Sequence, residues 1–151
     1  GFGAPAALGA KIACPDRVVV ALIGDGGFGQ NPAMLATAFE DDIAVVWVIM
    51  NNHAFGTIAG LEAAHYGTTF ATVFEKNGKT WSPDYAAIAR AYGIDGVRIA
   101  SAAEFKPALA KAIRSKRHVE MQNEPVPTAG HWNIMDIYSP GKKVHHVSTG
   151  D

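Results

Sequence analysis

The stretch VVVALIGDGGFGQNPAML, residues 18–35, decides the fold that this sequence predicts. It begins with apolar, mostly β-branched residues, passes through a glycine-rich turn and ends at the start of a helix. Gly24, Gly26 and Gly29 have the G-x-G-x-x-G spacing of a dinucleotide-binding turn. Asp25, however, places a carboxylate where a pyrophosphate would lie, and this negative charge needs an explanation.

Length and composition are those of an ordinary globular domain. The 151 residues suit one domain, and apolar and charged fractions of 48% and 18% argue against disorder. The net charge is −1 without a basic run, which disfavours nucleic acid and anionic membranes as partners. The longest apolar run, residues 43–50, is too short to span a bilayer. The single cysteine, Cys14, excludes an intrachain disulfide and suits a cytoplasmic location.

Strand and helix patterns alternate along the chain. The predicted strands are 18–23, 43–50, 97–100 and 118–121. The predicted helices lie within 1–11, from Pro32 to about Phe39 after an Asn31 cap, over 84–92, and from a capping box at 101–104 to about 113. Residues 51–81 lack strong periodicity apart from a short helix in LEAAHY (61–66), and such segments are often functional. The alternation predicts an α/β fold: a doubly wound parallel sheet with helices on both faces.

The chain opens on a helix pattern instead of a strand, which is typical of the middle of an α/β domain. We therefore expect a C-terminal piece of a longer protein. Residues 1–124 are predicted to form a domain that lacks its first strand, and residues 125–151 an irregular C-terminal tail.

Polar side chains follow the first two long strands, at the sheet edge where ligands bind in this fold class. A nicotinamide cofactor would require an acid after the second strand, but Asn51 and Asn52 stand there. A divalent cation such as Mg²⁺ accounts for both features, with Asp25 and the amide oxygen of Asn51 or Asn52 as ligands. The cation would cancel the repulsion between Asp25 and phosphate, and the N–H groups of Gly26 and Gly27 could then face a diphosphate.

Three blocks of sequence carry a family resemblance. Asp25 and Asn52, within GDG…NN, resemble the thiamine-diphosphate motif. GFGAPAALGAK (1–11) is similar to the glycine-rich helix of that family, and SPDYAAIARAYGIDGVRI (82–99) to the segment after its cofactor site. Over nearly its whole length, the chain resembles the C-terminal diphosphate-binding domain of the acetolactate-synthase-like group, which has the thiamine-diphosphate-binding fold.

The resemblance implies cofactors and site residues. Asp25, Asn52 and the backbone carbonyl of Ala54 would bind Mg²⁺. The residues expected to bind thiamine diphosphate are Gly24, Asp25, Gly26, Gly27, Asn52, Ala54, Phe55 and Gly56. No residue matches an assigned catalytic role, and His53 and His65 fall in the substrate region without one. In this family a pyrimidine-binding domain, of the same or a partner chain, supplies the activating glutamate, and that domain is absent from this sequence.

The resemblance also implies an activity: carboligation of 2-oxo acids, small-molecule substrates, by a homodimer or homotetramer. A 2-oxo-acid decarboxylase or C–C hydrolase with the same anchor is an alternative. A non-catalytic cofactor-binding fragment is a second alternative, and a nicotinamide dehydrogenase is a third.

Overall fold

The computed structural model describes residues 1–115 and 119–123, and these form an α/β fold. Its helices are α1 (Gly3–Ala13), α2 (Asp25–Phe28), α3 (Met34–Glu40), α4 (Gly56–Tyr66), α5 (Tyr85–Ala91) and α6 (Ala102–Ser115). Its strands are β1 (Val20–Gly24), β2 (Val46–Met50), β3 (Glu75–Lys76), β4 (Lys79–Thr80), β5 (Asp95–Ile99) and β6 (Val119–Asn123).

Four strands form one parallel sheet in the order β1-β2-β6-β5, and β3 and β4 form a separate antiparallel hairpin. The register pairs Gly24, at the end of β1, with Met50, at the end of β2. The chain therefore leaves both strands at the same edge of the sheet, and Asp25 and Asn51 follow side by side. This is the edge at which parallel α/β sheets bind ligands.

The β2 strand is buried on both faces because alternate side chains enter two different cores. Trp47 and Ile49 pack in a cluster with apolar residues of α1, α3 and α5. Val46 and Val48 pack on the other side, with residues of α6. The Trp47 indole N–H also donates to the Ala4 carbonyl at 3.2 Å. Helices on both faces of a parallel sheet confirm the predicted fold class.

The β1 strand differs from the buried strand predicted at 18–23. It spans Val20–Gly24, and the side chains of Val20 and Leu22 are 43% and 65% exposed. The reason is its position: β1 lies at the edge of the sheet, whereas α6, on that face, packs on β5 and β6. The prediction of a buried strand was therefore wrong for one face of β1.

The α3 helix begins later than predicted. Leu35 N–H donates to the Pro32 carbonyl at 3.0 Å, and Ala36 N–H to the Ala33 carbonyl at 3.1 Å. These i→i−3 bonds form a tight turn ahead of the α-helix, which starts at Met34. Asn31 is therefore not the N-cap, and Pro32 is not the first helical residue.

The caps of α5 and α6 agree with the sequence to different degrees. Asp84 Oδ1 accepts a hydrogen bond from Ala87 N–H at 2.8 Å, and Gly93 follows the helix with φ of 81°, as predicted for α5. In α6, Glu104 Oε2 accepts from Ala100 N–H at 3.1 Å instead of from the Ser101 amide that a capping box uses. The predicted helix in 61–66 extends back to Gly56.

The end of the chain lies largely outside the described residues. The last described strand is Val119–Asn123, two residues longer at its end than the predicted 118–121. The predicted tail over 125–151 falls outside the described residues, so the division at residue 124 stays a prediction. Within 1–115 and 119–123, no helix has the length and apolar character needed to cross a membrane.

Candidate functional site

A cavity of about 300 Å³ lies where β1 and β2 end. Its lining includes every residue predicted to bind the cofactor: Gly24, Asp25, Gly26, Gly27, Asn52, Ala54, Phe55 and Gly56. Met50, Thr57 and Ile58 also line it, and the sequence analysis did not name them. All three lie next to predicted features in the sequence: Met50 ends β2, just before Asn51, and Thr57 and Ile58 follow the predicted site residue Gly56. That adjacency was the signal available in the sequence.

Asp25 is the most unusual residue of the cavity because its carboxylate is buried, with a side chain 1% exposed. Oδ1 accepts a hydrogen bond from the Gly26 amide at 2.9 Å. Oδ2 is buried and makes no hydrogen bond with any described residue. A buried carboxylate oxygen without a partner is costly, so it calls for a ligand such as a cation.

Burial raises the pKa of the Asp25 carboxyl above its ordinary value. The backbone N–H groups of Gly26, His53 and Ala54 act in the opposite direction and lower this pKa, as does the electrostatic interaction with His53. The last two amides lie close enough to favour the charged form, although neither makes a well-formed hydrogen bond to Oδ2. A bound cation would remove this conflict, since it favours the carboxylate directly.

The two asparagines after β2 have different environments. Asn51 is fully buried, and both ends of its side chain are engaged: Nδ2 donates to Ser82 Oγ at 2.7 Å, and Oδ1 accepts from His53 N–H at 3.2 Å. Asn52 is only partly buried and lines the cavity, where its Oδ1 accepts from Ala54 N–H at 3.3 Å. Asn52 is thus the asparagine placed to offer an oxygen to a ligand, and Asn51 stabilises the turn.

Ala54 forms a single antiparallel bridge with Val73. The flanking bonds are Phe55 N–H to the Thr72 carbonyl at 2.8 Å and Phe74 N–H to the His53 carbonyl at 2.7 Å. Because these bonds belong to the neighbours, Ala54 is in a non-hydrogen-bonded pair, and its own N–H and C=O point away from residues 72–74. The N–H of Ala54 donates to Asn52 Oδ1, and both residues line the cavity.

Gly26 makes room for the ring of Phe55. A Cβ atom on Gly26 would lie 2.6 Å from two carbons of that ring, which real contacts do not tolerate. The Phe55 ring also meets Phe74 edge to face, with centroids 5.0 Å apart. The glycine turn and the segment after β2 are therefore in direct contact across the cavity.

The two histidines without a predicted role differ in position. His53 has φ of 58°, in the left-handed region that non-glycine residues rarely adopt, and its Nδ1 is buried without a hydrogen-bond partner among the described residues. His65 lies near the end of α4, exposed beside Tyr66 and outside the cavity lining.

The donors fit Mg²⁺ better than a transition metal. Within the described parts of the chain, no three His, Cys, Asp or Glu side chains form a group that could hold a metal ion. The cavity lining instead includes the three residues predicted to bind Mg²⁺, and these carry a carboxylate (Asp25), an amide oxygen (Asn52) and a backbone carbonyl (Ala54). Hard oxygen donors with few protein charges are typical of Mg²⁺ sites that a phosphate ligand completes.

Comparison with known proteins identifies relatives of this chain. The family model described as "Thiamine pyrophosphate enzyme, C-terminal TPP binding domain" matches residues 1–122. A probable acetolactate synthase large subunit of Methanocaldococcus jannaschii is 41% identical over 115 residues, which cover 76% of this chain and 19% of the relative. A probable acetolactate synthase large subunit of Methanococcus aeolicus is 39% identical over 147 residues, covering 97% of this chain and 23% of the relative.

A solved structure shares both fold and sequence with the chain. The thiamine diphosphate-dependent 4-hydroxybenzoylformate decarboxylase of Rhodococcus jostii superposes with a TM-score of 0.71 and 31% identity, covering 83% of this chain and 23% of the decarboxylase. The chain therefore spans about a fifth of the length of the relatives it matches.

Proposed function

Because the chain belongs to the thiamine pyrophosphate enzyme family, as its C-terminal TPP-binding domain, we propose that it anchors thiamine diphosphate through Mg²⁺. Thiamine diphosphate is the cofactor of this family, and Mg²⁺ is the metal expected with it. The observation that carries the proposal is the buried Asp25 Oδ2, which has no hydrogen-bond partner among the described residues and lies in a cavity lined by all the predicted cofactor residues.

Three oxygens of this chain would hold the cation. Asp25 Oδ2, the Asn52 amide oxygen and the Ala54 carbonyl supply half of an octahedron, and diphosphate oxygens and water suit the rest. The Gly26 N–H keeps Oδ1 in place and leaves Oδ2 for the metal. The glycines of the turn, from Gly24 to Gly27, let the diphosphate approach the backbone closely. We also propose that residues 1–124 form the domain that anchors the cofactor and that residues 125–151 form a tail.

For the whole protein we propose carboligation of 2-oxo acids, as in acetolactate synthases. Two relatives named probable acetolactate synthase large subunits support this proposal, at 41% and 39% identity. When bound, thiamine diphosphate supplies the carbon nucleophile and electron sink that 2-oxo acid chemistry needs. The residues of this chain bind and orient the cofactor through its diphosphate. A pyrimidine-binding domain of the same or a partner chain, in a homodimer or homotetramer, would complete the site.

A decarboxylase is the second candidate, because the similar solved structure is a thiamine diphosphate-dependent decarboxylase. Both candidates use the same anchor, so the cavity described here does not separate them. The nicotinamide alternative is disfavoured, since the thiamine pyrophosphate family model matches residues 1–122, a range that includes the glycine turn. Incubation of the full-length protein with pyruvate alone distinguishes the two: acetolactate indicates carboligation, and acetaldehyde indicates decarboxylation.

The anchor is tested by thermal unfolding of the full-length protein with Mg²⁺, thiamine diphosphate, both, or NADH. We expect a rise in Tm only with Mg²⁺ and thiamine diphosphate together. A ligand at about a hundred times its Kd stabilises by ~2.7 kcal/mol, which is readily measured. Asp25→Asn should abolish the shift, because it removes the charged ligand of the cation.

Asp16→Asn is the matched control, since Asp16 is exposed and lies outside the cavity. It removes the same charge and should leave the shift unchanged. An Mg²⁺-dependent rise in Tm that survives in Asp25→Asn would contradict the assignment of Asp25 as a ligand. Binding of the cofactor without turnover of pyruvate would favour the non-catalytic alternative.

A further inference from the structure

Glu62 lies on α4, outside the cavity lining, and holds the irregular segment that follows the helix. Its Oε2 accepts two hydrogen bonds, from Thr72 Oγ1 at 2.7 Å and from Phe70 N–H at 3.0 Å. Charge-assisted bonds of this kind are shorter and stronger than neutral ones. Thr72 is itself buried, so its hydroxyl depends on Glu62 as an acceptor.

Residues 72–74 lie directly behind the predicted metal ligand Ala54. The Thr72 carbonyl accepts from Phe55 N–H, and Phe74 N–H donates to the His53 carbonyl, so the two short segments are joined on both sides of Ala54. The Phe74 ring packs on Phe55 as well. A shift of residues 72–74 would therefore be transmitted to the carbonyl of Ala54.

The Glu62 carboxylate joins α4 to residues 70–72 through both of its hydrogen bonds. Among the described residues the antiparallel pairing at Ala54 is a single bridge, not a ladder. Residues 66–71 are exposed, including Phe70 at 84%. Thr72 is the point at which the segment returns to the body of the protein, and Glu62 fixes that point.

We propose that Glu62 is a positioning residue: by holding Thr72 and Phe70 it fixes the segment that aligns the Ala54 carbonyl for the cation. The inference rests on the proposed function and extends it to a residue that touches neither the cation nor the cofactor. The proposal gives Glu62 of α4 a structural role toward the cation site. The sequence did not predict this role, because no motif links Glu62 to Thr72.

The test uses Glu62→Ala, Thr72→Val and the double variant in the full-length protein. Calorimetric titration with Mg²⁺ at saturating thiamine diphosphate gives the Kd of the cation. Supporting groups around metal ligands change metal affinity by about 10-fold or more, and we expect about that loss in each single variant. Both substitutions break the hydrogen bond between Glu62 and Thr72. The double variant should therefore lose no more affinity for Mg²⁺ than the single variant that binds Mg²⁺ more weakly.

Two further variants make the result specific. Glu62→Gln keeps an acceptor oxygen and should retain most of the affinity for Mg²⁺. Glu75→Ala removes a carboxylate from an exposed position in β3 and should bind Mg²⁺ as the wild type does. Both remain informative if Glu62→Ala folds poorly.

Hydrogen exchange without metal or cofactor is the second readout. Peptides that cover 53–57 and 70–75 should exchange faster in Glu62→Ala and Thr72→Val than in the wild type. Faster exchange with an unchanged Kd for Mg²⁺ would overturn the role proposed for Glu62 but not the proposed function, because the contact would then be only structural. A wild type that binds no Mg²⁺ with thiamine diphosphate would overturn the proposed function itself.

Discussion

Asp25 buries a carboxylate whose Oδ2 no described residue satisfies, and its raised pKa records the cost of that burial. A protein selected only for stability would place a neutral side chain here, since unpaired buried charges destabilise the fold. The arrangement makes sense if the carboxylate serves a cation. Stability of the protein without ligand and affinity for Mg²⁺ therefore oppose each other at this residue.

We accordingly expect Asp25→Asn to stabilise the protein in the absence of Mg²⁺ and thiamine diphosphate. At neutral pH the gain should be roughly 1–2 kcal/mol, in the range of single buried substitutions. Urea unfolding with excess chelator measures it. With Mg²⁺ and thiamine diphosphate present, the order should reverse, because only the wild type gains from binding.

The pH dependence of that difference has a definite sign. The pKa of Asp25 is higher in the folded protein than in the unfolded chain, so the folded state holds its proton more tightly. Below the ordinary pKa of an aspartate, wild type and Asp25→Asn should be similarly stable. As the pH rises through the raised pKa, the wild type should lose stability relative to the variant, and above it the difference should be constant. A difference that shrinks with rising pH would contradict this assignment.

At the scale of residues, the sequence predicted which side chains lie together at the cavity where those residues belong to a motif at the end of a strand. The glycine turn comes directly after β1 and the paired asparagines directly after β2, and the parallel register places these two strand ends side by side. The residues alone left Asn51 and Asn52 open and the family resemblance favoured Asn52, but the contact of Asn51 with Ser82, 31 positions away, is seen only in the structure. The contact of Glu62 with Thr72 is similarly invisible to periodicity.

At the scale of elements, predictions failed where backbone pairing is irregular. The β3–β4 hairpin and the bridge between Ala54 and Val73 involve very few residues each, so no alternation of apolar side chains marks them. The α4 helix was predicted only in part, since Ala59 is its only residue in the buried class and no apolar stripe marks its first turns. The α5 helix was predicted well because its cap chemistry is local.

The packing of α5 on β5 offers a test of a close approach between elements. A Cβ atom on Gly96 would overlap the carbonyl oxygen of Ala86 in α5. We expect Gly96→Ala to force α5 away from the sheet and to destabilise the protein by about 1–3 kcal/mol, the usual cost of overpacking. Chemical denaturation measures the change.

Gly9→Ala is the matched control for this element-level prediction. Gly9 lies inside α1, and no atom of the described residues outside its own helix turn is within 4 Å of the position of its Cβ. Because alanine favours helix more than glycine does, this variant should be more stable by about 0.5–1 kcal/mol. Equal effects of the two substitutions would show that the approach of α5 to β5 does not limit the side chain at residue 96.

At the scale of the whole molecule, the parallel sheet is more tightly packed than the exposed segment over residues 66–71. The β2 strand is buried in two cores, whereas residues 66–71 are exposed and carry little packing. The fold class was predictable because it depends on such buried strands and on the alternation of elements. The exposed face of β1 was not, since burial depends on what covers a strand and not on its own composition.

This difference in packing predicts where the protein responds to its ligands. Among the described residues of the full-length protein, β2 should exchange hydrogen most slowly and residues 66–71 most quickly, because opening of residues 66–71 disrupts few contacts. Mg²⁺ and thiamine diphosphate together should slow exchange mainly in 24–27, 52–56 and 70–74, while peptides of α1 and α6 change little. Asp25→Asn should remove the local effect. Slowing spread evenly over the whole sheet would mean that ligands act only by shifting global unfolding, and the anchor would then have to lie elsewhere in the protein.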